Sequence, residues 1–361
     1  MRAAISPRAP VVVKVGSSSL VTNDGGLDQS AIETVIGMVE EIIALGHAAV
    51  LVTSGAVAAG LPALNLRKRP ADLAGLQAAA AVGQGILMER YAAGFKARGL
   101  VAGQVLLTKD VLGHRDQYLN ARAALVRMLG LGIVPVVNEN DTVTVEELRL
   151  GDNDRLAALA SHLINADLLL LLTDTEGLYT ADPRLVEGQF LAEVSYSDVV
   201  LDGLSGSGPL GSGGVAGKVA AARMAAHSGV PTIIASARTT GLVKRALNGE
   251  PVGTWVDPRP DRLSARKLWI AFGLEPIGAV VIDPGAVTAL VQHARSLLPV
   301  GVKEVRGNFA KQAPIEVLDL HGRAIGRGLA AIESGELSSL AGHKGSREAI
   351  HRDDLVVLVP A

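Results

Sequence analysis

Lys14 is a charge set inside an apolar run, Val11-Val12-Val13-Lys14-Val15, just before Gly16 and a serine triplet. Lys218 closes a glycine-rich segment, Gly211-Ser212-Gly213-Gly214-Val215-Ala216-Gly217-Lys218, that opens a helix-like stretch. Glycine lets backbone approach a phosphate closely, helix N-terminal amides face an anion, and a lysine adds positive charge. The segment is not a G-x-x-x-x-G-K-[ST] loop, because Val219 stands where Ser or Thr is needed. Two lysines at the ends of separate elements can flank a transferring phosphoryl group. Such a reaction gains mostly from positioning and charge neutralisation. Read singly, each has a plain alternative: Lys14 snorkels at a strand edge and Lys218 is a solvated loop charge. Read together, the phosphoryl reading leads.

A second constellation runs from Asn138-Glu139-Asn140-Asp141-Thr142 to Gly151-Asp152-Asn153-Asp154. Residues 138–154 hold six carboxylates and three asparagines, between the apolar runs 133–137 and 156–164. An acidic loop can serve solubility alone. Polar side chains at the carboxyl end of a strand, however, are where open α/β sheets place ligands. Asn and Asp can hold an amino acid head group, accepting from its ammonium and donating to its carboxylate. Asp154 reads either as a first-turn carboxylate favoured by the helix dipole or as an organiser of the two lysines. Glu139, Glu146 and Glu147 read as solvated or structural charges. Ser54, in Thr53-Ser54-Gly55-Ala56, misses the G-x-S-x-G pattern at Val52 and Ala56. The eight histidines form no evident triad. Ser54 is therefore read as a binding group or a helix N-cap rather than a nucleophile. Thr173-Asp174 ends a leucine run, either as a nucleotide dock or as a plain turn.

The elements needed to position these groups are legible as an alternation. Strand-like runs fall at 11–15, 50–52, 101–107, 133–137, 168–172 and 231–235. Pro135 weakens the fourth, because proline removes a ladder donor. Ile32, Val35, Ile36, Val39, Ile42 and Ile43 recur at helical spacing after a capping Asp28, and Gly46 stops the run. Helix-like sequence also covers 72–97, 156–164 and 218–227. Strands alternating with helices predict an α/β three-layer sandwich with a mainly parallel central sheet. After about Val256 the character changes. Asp257-Pro258-Arg259-Pro260-Asp261-Arg262 reads as linker. Short β-like runs at 278–283, 315–319 and 355–359, with a helix-like insert at 286–295, predict a small, mainly-β domain.

A length of 361 residues suits one large domain and one small one. A hydrophobic content of 48% with net charge −2 predicts a soluble globular chain without a basic excess for nucleic acid. The absence of Cys excludes disulfides, thiolate metal sites and cysteine nucleophiles, and fits a cytoplasmic location. The N-terminal residues lack the apolar core of a signal peptide. The longest leucine run, at 168–172, is far below a membrane span.

Taken together, the motifs resemble the glutamate 5-kinase family, an amino acid kinase domain followed by a PUA domain. The resemblance runs nearly end to end. It rests on Lys14-Val15-Gly16-Ser17-Ser18-Ser19-Leu20, Thr53-Ser54-Gly55-Ala56-Val57-Ala58-Ala59-Gly60, and Gln77-Ala78-Ala79-Ala80-Ala81-Val82-Gly83-Gln84. Tyr118-Leu119-Asn120-Ala121-Arg122, the two halves of the acidic segment, Thr173-Asp174 and Gly177-Leu178-Tyr179-Thr180-Ala181-Asp182-Pro183 complete the kinase part. Gly307-Asn308-Phe309 and His351-Arg352-Asp353-Asp354 resemble the PUA part. The resemblance implies a kinase domain at 1–258, a linker at 259–278 and a PUA domain at 279–361. It implies ATP-dependent phosphorylation of the γ-carboxylate of L-glutamate, the first step of proline synthesis, with feedback inhibition by proline. By position, Ser54, Asp141 and Asn153 would bind glutamate. Lys14, Thr173, Asp174 and Ser212, Gly213, Gly214, Val215, Ala216, Gly217 and Lys218 would bind ATP. Lys14 and Lys218 would stabilise the transferring group, with Asp154 orienting them. Mg2+ would be held mainly by the nucleotide phosphates, with no dedicated protein ligands. A homo-oligomer, dimer or tetramer, and coupling to a glutamate-5-semialdehyde dehydrogenase complete the expectation.

One departure stands out. The family loop reads Gly-Thr-Gly-Gly-Met-x-Thr-Lys, whereas here Gly217 removes the hydroxyl beside Lys218. A different acceptor on the same fold (aspartate, N-acetylglutamate, carbamate or UMP) is the alternative within the class. An RNA-binding role for the PUA part is the alternative outside it. That part carries nine Lys/Arg against nine Asp/Glu over 279–361, and so lacks the electrostatic footprint of a phosphate-backbone binder.

Overall fold

The computed structural model describes residues 2, 4–22, 26–143, 152–181, 183, 187–198, 200–205, 214–345 and 347–359; the side chains at 109, 110, 152, 202 and 205 are not described. The chain divides into two compact units, Met1–Arg262 and Leu263–Ala361.

The first unit is an α/β sandwich. Its strands are β1 (Pro10–Lys14), β2 (Ala48–Val52), β3 (Val101–Leu107), β4 (Ile133–Glu139), β5 (Leu168–Thr173), β6 (Leu178–Tyr179), β7 (Phe190–Leu191), β8 (Glu193–Ser195), β9 (Thr232–Ser236) and β10 (Thr254–Asp257). Its helices are α1 (Gln29–Ala44), α2 (Ala56–Ala63), α3 (Leu73–Ala97), α4 (Arg115–Gly130), α5 (Asp152–Ile164), α6 (Val200–Ser205), α7 (Gly214–His227) and α8 (Leu242–Leu247). The eight-stranded sheet has the order β3-β4-β2-β1-β5-β9-β10-β8. All its pairings are parallel except β10 with β9. Helices α3 and α8 pack on α1, while α4 and α7 pack on α5, which gives a layer on each side of the sheet.

Local sequence explains this arrangement. Asp28 caps α1 by accepting from the Ser30 and Ala31 amides, and Asp72 caps α3 through the Gly75 amide. The apolar stripe of α1 (Ile32, Val35, Ile36, Val39, Ile42) is buried against Val11, Val13, Leu51, Leu168 and Leu170. The central strands are apolar at successive positions because both of their faces are covered. Pro135 does lie within β4, but the β2 ladder starts only at Val136, past the missing donor. The short β8 and β10 carry no sequence signal of their own.

The chain leaves β1 toward β2, β3 and β4 on one side, then returns with β5 on the other. The strand order therefore reverses beside β1, and a crevice opens at the carboxyl ends of the strands there.

The second unit contains α9 (Ala265–Leu268), a single π turn (Trp269–Gly273), β11 (Gly278–Ile282), α10 (Pro284–Val291), β12 (Val302–Arg306), β13 (Pro314–Leu318), β14 (Ala324–Leu329), α11 (Ser334–Leu340) and β15 (Leu355–Val357). Its sheet runs β12-β11-β13-β14-β15, parallel only between β11 and β13. Val280, Ile282, Ile315, Val317, Ile325 and Leu337 form its core. The sequence pattern missed β12 and β14. The first alternates charges on an exposed edge, and the second is interrupted by Gly326 and Gly328. Residues 265–273, read from sequence as linker, fold as helix, and Ile270 and Ala271 pack on Leu329 and Val356.

Candidate active site

Four strands deliver side chains to the crevice. β1 ends on Lys14, β2 runs into Thr53-Ser54, β4 ends on Asn138-Glu139, and β5 ends on Thr173. The N-terminal turns of α5 and α7 add Asn153, Asp154, Gly214 and Lys218. A cavity of about 260 Å3 brings most of these together, lined among others by Lys14, Ser54, Asp141, Asn153, Asp154 and Lys218.

Its centre is a buried charge cluster. Lys14, Asp154 and Lys218 are 3%, 1% and 7% exposed. Lys14 Nζ lies 2.5 Å from Asp154 Oδ1, and Lys218 Nζ lies 3.2 Å from Asp154 Oδ2. One carboxylate thus bridges two ammoniums, leaving one unit of positive charge uncompensated within the cluster. Burial pulls the Lys14 ammonium below its ordinary value; Asp154 counters that pull and Lys218 adds to it. A cluster of this kind is poised for an anion with more than one negative oxygen.

A polar wall stands beside it. Asn153 Nδ2 donates to Ser54 Oγ at 3.1 Å. Asn153 Oδ1 is buried with no partner among the described residues. An acceptor held dry in this way costs about 1–3 kcal/mol until a donor arrives. Gly55, at φ +100°, makes the sharp turn that sends Ser54 into the crevice and starts α2. Behind it Thr53 and Tyr91 are buried and share a hydrogen bond of 2.9 Å. Burial holds the Tyr91 phenol above its ordinary pKa.

The sequence-predicted residues separate into four groups. Lys14, Ser54, Asp141, Asn153, Asp154, Gly214 and Lys218 line one cavity. Thr173 and Asp174 sit at the end of the neighbouring β5, where the Thr173 hydroxyl donates to Asp174, outside that lining. Val215, Ala216 and Gly217 form the first turn of α7, also outside it. Ser212 and Gly213 lie outside the described residues, as do Glu146 and Glu147. Glu139, read as a solvated or structural charge, is 9% exposed and lines the cavity. Asn138, part of the predicted acidic segment but given no role of its own, also lines it, as does Arg69, which was missed. The run Arg67-Lys68-Arg69 before Pro70 was the available signal for Arg69.

A crevice at the switch point of a parallel sheet, with two ammoniums on one buried carboxylate, defines a phosphate-handling α/β enzyme. Comparison with known proteins narrows that class. The model of the amino acid kinase family matches residues 9–236, and that of the PUA domain matches residues 278–358. The chain is 47% identical over 376 residues to the glutamate 5-kinase of Frankia casuarinae, covering all of both chains. It is 45% identical over 372 residues to that of Thermobifida fusca, covering 99% of this chain and 95% of the relative. The glutamate 5-kinase of Streptomyces coelicolor is 43% identical over 376 residues, with 99% of each chain covered. The fold is shared with the crystal structure of UMP kinase from Bacillus anthracis, at TM-score 0.50 and 15% identity, over 70% of this chain and 97% of that one. The chain belongs to the amino acid kinase family and, within it, to the glutamate 5-kinases.

Proposed function

We propose that the chain transfers the γ-phosphoryl group of ATP to the γ-carboxylate of L-glutamate, giving γ-glutamyl phosphate and ADP. This is the first step of proline synthesis. One observation carries the reading: the Lys14–Asp154–Lys218 bridge opens into the same cavity as Ser54, Asp141 and Asn153. The full-length similarity to glutamate 5-kinases supports the acceptor. The kinase domain is assigned to 1–258 and the PUA domain to 279–361, joined through 259–278.

In this reading a glutamate carboxylate oxygen attacks the γ-phosphorus, and the bond to the β,γ-bridging oxygen breaks with its electron pair leaving on ADP. The acceptor is already ionised near neutral pH, so no general base is required. Lys14 and Lys218 face the charge that spreads over the phosphoryl oxygens. Asp154 holds both at fixed separation and counters the desolvation of Lys14. Asn153 Oδ1 takes an α-ammonium hydrogen, with Asp141 as the charged partner and Ser54 held in place by Asn153. Gly214 and the first turn of α7, with Thr173 and Asp174, serve the nucleotide. Asp154 is committed to two lysines, so it makes a poor metal ligand. Mg2+ would be carried by the nucleotide phosphates, where it neutralises their charge.

Proline presents a similar ammonium–carboxylate head group and is proposed to inhibit from the same or an overlapping site. The acyl phosphate product is labile, which favours prompt consumption by a reductase. An ADP-release assay across glutamate, aspartate, N-acetylglutamate, carbamate and UMP, with and without proline, tests the reading. Glutamate should be the preferred acceptor, and Lys218→Ala should lower kcat by at least about a hundredfold in a folded protein. Undiminished turnover in Lys218→Ala removes the assigned role of Lys218. Turnover with another acceptor alone removes glutamate. Proline that leaves both the rate and the glutamate KM unchanged removes the inhibition.

A further inference from the structure

The acceptor wall is held by hydrogen bonds that the proposed reaction does not use. Asn138 lines the cavity, yet both its polar atoms are engaged elsewhere. Its Oδ1 accepts from the Glu139 amide at 2.9 Å, and its Nδ2 donates to Gln84 Oε1 at 2.7 Å. The first bond fixes which way the Asn138 amide faces, and the second then fixes Gln84. Farther along α3, on the same helix face, Tyr91 OH lies 2.9 Å from Thr53 Oγ1. Thr53 Oγ1 donates to Ser54 O at 3.2 Å, so its one proton is spent and Tyr91 is the donor. One face of α3 therefore grips the ends of β2 and β4, the two strands that carry Ser54 and the Asn138–Asp141 turn.

Gln84 does this at a cost. Its Nε2 is buried with no partner among the described residues. A buried amide donor left unpaired opposes folding; an apolar side chain of the same length would relieve it but would leave the buried Asn138 Nδ2 without its acceptor.

We propose that Gln84 is a positioning residue for acceptor binding. Through Asn138 it sets the Glu139 peptide and the following Asp141 turn at the geometry that the acceptor head group requires. The inference rests on the proposed glutamate kinase activity and adds to it a residue that touches neither substrate.

Steady-state ADP release by the full chain, varying glutamate and ATP separately, tests it. Gln84→Met removes the oxygen that holds Asn138. The glutamate KM should rise about five- to tenfold, the loss expected for one buried hydrogen bond. The ATP KM and kcat should stay within about twofold, and the melting midpoint should change little, because the unpaired Gln84 Nε2 is removed while Asn138 Nδ2 loses its acceptor. Gln84→Glu keeps an oxygen for Asn138 Nδ2 in either protonation state and should return the glutamate KM to within about threefold of wild type. An unchanged glutamate KM in Gln84→Met overturns the proposal, as does Gln84→Glu failing as badly as Gln84→Met. If Gln84→Met does not fold, Gln84→Leu makes the same deletion. Failure of both to fold assigns Gln84 to stability and also overturns it. Wild-type protein that releases no ADP with glutamate sinks the kinase reading itself, an outcome separate from an active wild type with indifferent variants.

Discussion

The proposed reaction asks Lys14 and Lys218 to act on a phosphoryl group from buried positions. Lys14 is the more strained case. Desolvation works against its proton, Lys218 repels it, and Asp154 at 2.5 Å holds it. A lysine with a depressed pKa loses its charge earlier as pH rises. The kcat profile should therefore fall on an alkaline limb that begins below the ordinary lysine value of 10.5. Lys14→Arg, whose guanidinium does not deprotonate in this range, should flatten that limb even with a lower plateau. A wild-type profile level up to pH 10.5 would contradict the assignment. The sequence disclosed Lys14 by type, because a lysine amid valines is an anomaly that asks for a partner, whereas Asp154 at a helix start also had an ordinary reading. It hid the place of Glu139, whose residue type reads as solvated or structural until β4 is seen to carry it into the cavity. It also hid the link between Asn138 and Gln84, which spans helix and strand with no local pattern.

Helices α2 and α3 supply the rigid frame behind the acceptor wall. They cross backbone to backbone: a Cβ on Gly83 would overlap Ala56 O and Gly60 N, and one on Gly60 would overlap Ala79 O. The close crossing brings Gln84 within reach of Asn138 and sets α2 directly behind the Ser54-Gly55 turn. Gly83→Ala should therefore drive the two helices apart. A loss of about 3 kcal/mol in unfolding free energy is expected, with a rise in the glutamate KM in whatever folds. Urea unfolding measures the first. Stability within about 0.5 kcal/mol of wild type would mean that the crossing is not tight. The central strands and helices α1, α5 and α7 were readable because they bury apolar runs, and α3 from its alanine content; α4, whose buried residue is Leu125, was missed. The crossing was not readable, since an Ala-rich helix with scattered glycines has apolar residues on every side and signals no preferred face. The strands β8, β10, β12 and β14 were missed because they are short or carry charges and glycines.

Across the whole first unit, the site depends on a two-helix layer with an acid-sensitive base. α5 carries Asn153 and Asp154 in its first turn and His162 in its last; α7 carries Lys218 near its start and His227 at its end; and the two helices pack together. Both histidines are held neutral, with pKa lowered to about 4. Burial is the main cause in each case. Arg262 and Arg122 add to it at His162, and Arg259 and Arg223 at His227. Tyr118 OH lies 3.2 Å from His162 Nε2, and Tyr196 packs edge-on against His227. A histidine whose folded pKa is depressed contributes stability that is complete above its unfolded value near 6.5 and is lost as pH falls through about 4. Each shift corresponds to about 3 kcal/mol, so the pair rivals the whole stability of a marginal domain. Unfolding free energy should drop steeply between pH 6.5 and 4, and glutamate-dependent turnover should be lost over the same interval. Ordinary carboxylates also titrate in this window, so the deciding measurement is comparative. His162→Gln and His227→Gln, which cannot take up a proton, should each show a shallower acid loss than wild type by urea unfolding at stepped pH. Parallel curves for all three proteins would place the acid sensitivity elsewhere and leave the two helix ends as plain packing.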